Sequence, residues 1–175
     1  MLEQNAVAGN SEGFVVEGES VGNVLIANAA AKNSNTGYWI REGSHRTVLR
    51  RNVSQSNTWG IVVWDSDSSI LEGNAVINNT GGGIGLERVN ESQIIGNTAN
   101  RNYHFGIWLN DSDRNRLEQN VANVNTLLGI GLFAGCDNNI VAGNVARTNG
   151  VDGVDDLTGT GNVWTNNNFG TTSGI

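Results

Sequence analysis

Proline is missing from all 175 residues, so every motif that requires one is excluded. There is one cysteine, Cys136, and a single thiol cannot close an internal disulfide. Lysine and arginine total ten against seventeen aspartates and glutamates, a formal charge of −7 and a pI near 4.7. That sign disfavours nucleic acid and anionic membrane as partners. It also weighs mildly against a polyuronate, unless calcium bridges the like charges. No apolar run approaches the length of a membrane-spanning helix, which argues against insertion. Amphipathic runs of ten or more residues are absent too, and with them the helical repeats. What the chain has in quantity is glycine, 24 residues, with abundant Asn, Ser and Thr, which favour turns over helix interiors.

These residues recur in phase. The stretch from Gly106 to Gly129 lands on itself in both directions when moved by about 23 residues, a repeat length typical of solenoids. A glycine column runs Gly13, Gly37, Gly60, Gly83, Gly106, Gly129 and Gly153. Behind it comes Phe14, Tyr38, Ile61, Ile84, Ile107, Ile130 and Val154, then two residues later Val16, Ile40, Val63, Leu86, Leu109 and Leu132. Period two marks a strand with one buried face. Further inward columns are Leu2, Leu25, Leu49, Leu71, Ile94, Leu117 and Val141, and the mostly small Val7, Ala30, Ser54, Val76, Ala99, Ala122 and Ala146. Three short inward segments per repeat, separated by corners, predict a three-sided coil. The expected fold is all-β: a parallel β-helix of about seven coils with three parallel sheets.

One asparagine column comprises Asn28, Asn52, Asn74, Asn97, Asn120 and Asn144, preceded by Asn5 and continued at Asn167. A second runs Asn10, Asn33, Asn57, Asn79, Asn102, Asn125 and Asn149. Stacked every ~4.8 Å at inward corners, such side chains can satisfy polar groups that tight turns would bury unpaired. They read as a structural ladder. The whole of 1–175 is one domain, already in phase at Leu2, with no signal peptide or linker before the first coil. It therefore reads as a fragment of a longer chain, or as a solenoid whose coil ends self-associate. Near the end the phase loosens: Asp156 falls where Leu or Val is expected, and a bulge returning Leu157 to the inside is the simplest account. Residues 161–175 begin a partial last coil, with Trp164 and Phe169 as its candidate cap.

The recurring Gly-Ile-x-Leu, polar corner and Asn-x-x-x-x-Asn resemble the right-handed parallel β-helix repeats of pectate-lyase-like proteins, polysaccharide epimerases and NosD-type periplasmic proteins. The resemblance covers nearly the whole chain. It implies an extracellular or periplasmic parent protein that binds or processes carbohydrate on one sheet. Its catalytic signatures are not here. The proline-containing Tyr-Gly-x-Asp-Pro-His run of alginate epimerases is excluded, and the Asn-Thr-Asp, Gly-His-Gly and Arg-x-Lys motifs of polygalacturonases are absent. Enzyme status does not follow from the repeat.

Candidate site residues sit on the outward positions beside the Gly-Ile strand. One outward column reads Val15, Trp39, Val62, Gly85, Trp108, Gly131 and Asp155, the next Glu17, Arg41, Trp64, Glu87, Asn110, Phe133 and Leu157. Trp39, Trp64 and Trp108 serve no core, and exposed aromatics of this kind stack on sugar rings or on another chain. From Trp39 to Trp108 is three coils, ~14 Å. With Arg41 and Glu87 they form the expected polysaccharide- or oligosaccharide-binding set. The best constellation for catalysis is Glu87 with Asp65 or Asp111, beside Arg88 and Arg41. Asp65-Ser66-Asp67 and Asp111-Ser112-Asp113 invite a calcium reading, but lie ~10 Å apart, too far to share one ion. A stacked Asp65-Arg88-Asp111 ladder is preferred, and no cofactor or metal is expected. His45 and His104 do not pair as a metal site. Cys136 falls in a corner column with Ser44, Asp67, Asn90 and Asp113. Three functions stay open: a carbohydrate-binding segment, a self-assembling structural solenoid, and a polysaccharide lyase, epimerase or glycoside hydrolase.

Overall fold

The computed structural model describes residues 1–175, and every regular element in it is a strand. Each strand pairs in parallel with the strand one coil further on, which builds a right-handed β-helix of about seven turns. The first sheet runs through eight strands, from Leu2–Glu3 to Val163–Thr165. The second has five, Ala6–Ala8 to Thr98–Asn100, and continues through single bridges at Val121 to Val145–Ala146 and Asn168–Phe169. The third, from Phe14–Val16 to Thr172–Ser173, has eight and contains the longest strands, Trp59–Trp64, Phe105–Asn110 and Leu128–Phe133.

The core is a set of columns. Ile61, Ile84, Ile107 and Ile130 stand in register and are fully buried. Leu25 to Val141 form the corresponding column of the first sheet. The glycine before each isoleucine is demanded by space. A Cβ on Gly106 would lie 2.5 Å from the Gly129 carbonyl oxygen and 2.8 Å from the Ala122 Cβ.

The corners are held by the asparagines. Asn97 donates its main-chain N–H to Asn120 Oδ1 at 2.9 Å, and its Nδ2 to the same oxygen at 3.1 Å and to the Leu71 carbonyl at 2.8 Å. The pattern repeats from Asn5 to Asn167, and along the second column from Asn10 to Asn149. Sequence reasoning missed a third ladder at the remaining corner, where Ser69, Ser92, Asn115, Asn139 and Asn162 follow one another. Cys136 is also placed differently from expectation. The corner from Asp67 through Asn90 and Asp113 to Asp137 is a separate outward ladder. Cys136 is one position inward of it, buried as Ser44, Ser66 and Ser112 are.

The last coil corrects the expected register. Asp152, not Gly153, follows Gly129 in the glycine column, and Gly153 pairs with Ile130, Val154 with Gly131 and Asp155 with Leu132. There is no bulge, and Leu157 is 70% exposed rather than inside. Asp155 can occupy an inward site because its carboxylate accepts hydrogen bonds from Trp164 Nε1 at 3.0 Å and from the Leu157 N–H at 3.0 Å. Asp152 ends the second ladder, accepting from Asn149 Nδ2 at 2.7 Å and from the main-chain N–H groups of Asn149, Gly170 and Thr171. Residues 161–175 add a further turn of three strands. Trp164 and Phe169 pack edge to face, 6.1 Å apart, against the end of the core.

Two outcomes follow from these contacts. Ile107→Ala should lower unfolding free energy by about 2–5 kcal/mol in a urea titration, since its neighbours in the column cannot close the void. The second concerns Asp152. Burial works to raise its pKa, but the hydrogen bonds from Asn149, Thr171 and Gly170 outweigh it and hold the carboxyl below its usual 3.8. A depressed folded pKa gives stability that is present above the unfolded value and lost as pH falls through the folded one. The thermal midpoint should therefore drop below about pH 4, and Asp152→Asn should flatten that drop. An unchanged acid profile in the variant would remove Asp152 from the account.

Candidate functional site: a tryptophan groove on the third sheet

Alternation along the third sheet that buries Ile40, Val63, Leu86 and Leu109 turns their neighbours outward. Trp39, Val62, Gly85, Trp108 and Gly131 stand in one register, Arg41, Trp64, Glu87, Asn110 and Phe133 in the next but one. Four of the chain's five tryptophans, Trp39, Trp59, Trp64 and Trp108, line one groove of about 280 Å³. Val62 lies in its lining, and Asn35, Thr36 and Glu87 add its polar groups.

Glycines make room for the rings. A Cβ on Gly85 would lie 2.6 Å from Trp108 Nε1, so the indole lies over the glycine of the preceding coil. Trp59 likewise covers Gly82, where a Cβ would lie 2.5 Å from its Cζ3. Trp59 lies outside the expected site residues, because it precedes the glycine column, whereas the outward positions beside the Gly-Ile strand follow it. The signal was available in the strand's extension upstream of Gly60. The indole N–H groups of Trp39 and Trp108 are shut off from solvent without an acceptor.

Both arginines beside the groove are stacked and paired. Arg41 lies 4.1 Å from the Trp39 ring centre and bonds Glu17 through Nε at 2.8 Å, with Glu42 at 3.8 Å. Arg88 lies 5.3 Å from the Trp64 ring centre and grips Asp65 with two bonds of 2.8 and 3.0 Å. Its Nη1 also reaches Glu87 Oε1 at 3.2 Å. Glu87, Asp65 and Arg88 are thus brought together. Asp111 stands in line with Arg88 but outside this hydrogen-bonded set, so the expected three-membered ladder has only its Asp65–Arg88 half. A smaller hollow of about 270 Å³, lined by Trp39, Arg41, Glu42, Trp64 and Asp65, adjoins the groove. Beyond Trp108 a second apolar hollow of about 460 Å³ lies among Phe105, Leu127, Leu128 and Phe133.

Fold and face together define a right-handed parallel β-helix repeat protein with an aromatic groove on its longest-stranded sheet. The chain belongs to the NosD family, whose model, described as "Periplasmic copper-binding protein (NosD)", matches residues 2–173. Among curated proteins nothing matches it. In solved structures it is similar to the A-module of mannuronan C-5 epimerase AlgE6 of Azotobacter vinelandii (TM-score 0.81, 18% identity), covering 99% of this chain and 57% of that one. It is similar also to the periplasmic alginate epimerase AlgG (TM-score 0.84, 21% identity), with 98% and 43% covered. Tailspike protein 3 of bacteriophage CBA120 gives a TM-score of 0.77 at 14% identity, with 98% and 33% covered. The chain thus spans between about a third and little more than half of these structures, and at these identities the likeness is one of fold.

The family's description raises copper, which takes thiolate, thioether and imidazole ligands. Those donors are scattered here, and no three groups of metal-ligating type come together. His45 Nδ1 accepts the Asp67 N–H at 2.9 Å, and His104 stands between Tyr103 and Phe105. Cys136 is buried, its thiol pushed up to about 11 chiefly by that burial, with Sγ 3.0 Å from the Phe133 carbonyl oxygen. These residues do not compose a copper centre.

The seating of Trp108 is open to a direct check. Gly85→Ala should displace its indole and change the near-ultraviolet circular dichroism, while the far-ultraviolet spectrum of the coil stays as it was. An unaltered near-ultraviolet spectrum would mean that the ring does not rest on Gly85.

Proposed function

We propose that this chain is a polysaccharide-binding β-helix segment of an exported protein, periplasmic or extracellular. The observation that carries the reading is the convergence of Trp39, Trp59, Trp64 and Trp108 on one groove. Bulky indoles at outward positions add nothing to the core, and stacking on the apolar faces of sugar rings is what such a surface does well. The sugar lies against Trp39, Trp64 and Trp108, with Trp59 as an added wall. Arg41 stacks over one face of the Trp39 ring, and Glu87 offers an acceptor to hydroxyl groups. The family's periplasmic description supports an exported setting, and the likeness to the epimerases AlgE6 and AlgG supports a polysaccharide as the ligand class. Asp65 is tied to Arg88 in a half-exposed pair, which suits a positioning role better than proton transfer. The groove therefore binds, and chemistry on the chain of sugars is not assigned to Glu87, Asp65 or Asp111.

Stacked rings contribute on the order of 1 kcal/mol each beyond area burial, so several support binding in the micromolar to millimolar range. Titration with an oligosaccharide panel should shift the tryptophan emission. Trp64→Ala should weaken the response about fivefold. Silence of the emission across the panel, with Trp39 and Trp64 protected in a dimer detected by light scattering, would give the face to self-assembly instead.

A further inference from the structure

We infer that the tryptophan groove selects an amino sugar, presenting a protonated amine, over a neutral or a uronic sugar. The inference rests on the polysaccharide-binding reading and adds the charge of the ligand to it. The groove's lining contains one charged side chain, Glu87, and it is anionic. Arg88 takes Glu87 Oε1, which leaves Oε2 without a hydrogen-bond partner from the protein. Neither arginine lines the groove. Around them, two guanidinium groups meet four carboxylates: Arg41 faces Glu17 and Glu42, Arg88 faces Asp65 and Glu87. Both are spent on carboxylates and on tryptophan rings, so neither is free to clamp a sugar carboxylate.

The remaining surface favours the opposite charge. Four indoles line the groove, two of them with a guanidinium over one face only, and tryptophan is the best aromatic partner for an ammonium group. A carboxylate oxygen with an open acceptor position adds a charge-assisted hydrogen bond. The net charge of −7 adds a long-range pull of the same sign. A pyranose with an ammonium substituent can meet both demands, its C–H face on an indole and its amine against Glu87. A uronate meets the first and is repelled by the second.

The experiment is calorimetric titration of the chain, in mildly acidic buffer, with three tetrasaccharides: β-1,4-linked glucosamine, its N-acetylated counterpart, and a uronate. The glucosamine tetramer should bind roughly tenfold more tightly than the acetylated one, the size of one charge-assisted hydrogen bond with a cation–π contact at a half-exposed site. The uronate should bind most weakly. In Glu87→Gln the ratio between amine and acetamide should fall towards one. Added salt should weaken the glucosamine tetramer more than the acetylated one. Equal binding of all three, tighter uronate binding, or a ratio unchanged in Glu87→Gln would overturn the amine inference and leave sugar binding standing. Absence of heat with every tetramer, joined to silent tryptophan emission, would overturn both.

Discussion

The corner amide ladder is the constraint on which the rest of the molecule depends. A coil of three short strands must turn three times, and each turn leaves main-chain N–H groups facing inward, where water cannot reach. An unpaired group of this kind costs about 1–3 kcal/mol. An asparagine on the next coil supplies the acceptor, while its own Nδ2 passes the problem one coil onward. The residue just before each asparagine of the first ladder takes a left-handed conformation, including non-glycines such as Ala27, Arg51 and Gln119. Such a conformation costs roughly 1–2 kcal/mol in an L-residue. Its persistence at every coil shows that satisfying the corner outweighs local backbone preference.

A ladder whose main-chain N–H groups all donate towards the next coil has two different ends. Acceptors are left over at the first coil and donors at the last. Asp152 and Asp155 stand at the donor end, where a carboxylate replaces the asparagine that a further coil would have supplied. Negative charge is the right chemistry there, just as it is at the start of a helix, where unsatisfied N–H groups also gather. Burial of two aspartates within the last turns, which looks like a fault of patterning, is a consequence of ladder polarity.

This explains what could be read from the sequence and what could not. Columns of identical or near-identical residues, Ile61 to Ile130 and Asn28 to Asn144, announce period, register and buried face together. Where a column changes chemistry, the same reasoning slips. The third ladder mixes Ser69 and Ser92 with Asn115 and Asn139, and period alone does not reveal that hydroxyl and amide do one job. Asp155 takes a leucine's place, so a register that keeps an apolar residue inside slips by one in the last coil, where Trp164 Nε1 in fact donates to the buried carboxylate. Trp39, Trp64 and Trp108 were legible as outward residues. Their convergence with Trp59 was not, since it depends on rings leaning over Gly82 and Gly85 from neighbouring positions.

Scaffold and site are therefore written in separate positions. Inward columns and corners admit few residues, whereas the outward positions of the third sheet are free of the core and the ladders. A protein of this fold can keep its coil and change the charge of its groove by altering two or three outward side chains. Here that freedom has been used in a particular way. Arg41 and Arg88, the cations beside the groove, are turned onto indole rings and neutralised by acidic neighbours. Cations so placed cover one face of two of the aromatic walls and leave Glu87 as the only charge in the lining. Likeness of fold to the mannuronan and alginate epimerases thus carries no implication for the charge of this groove. The coil is common to them, but the electrostatics of the face belong to this chain.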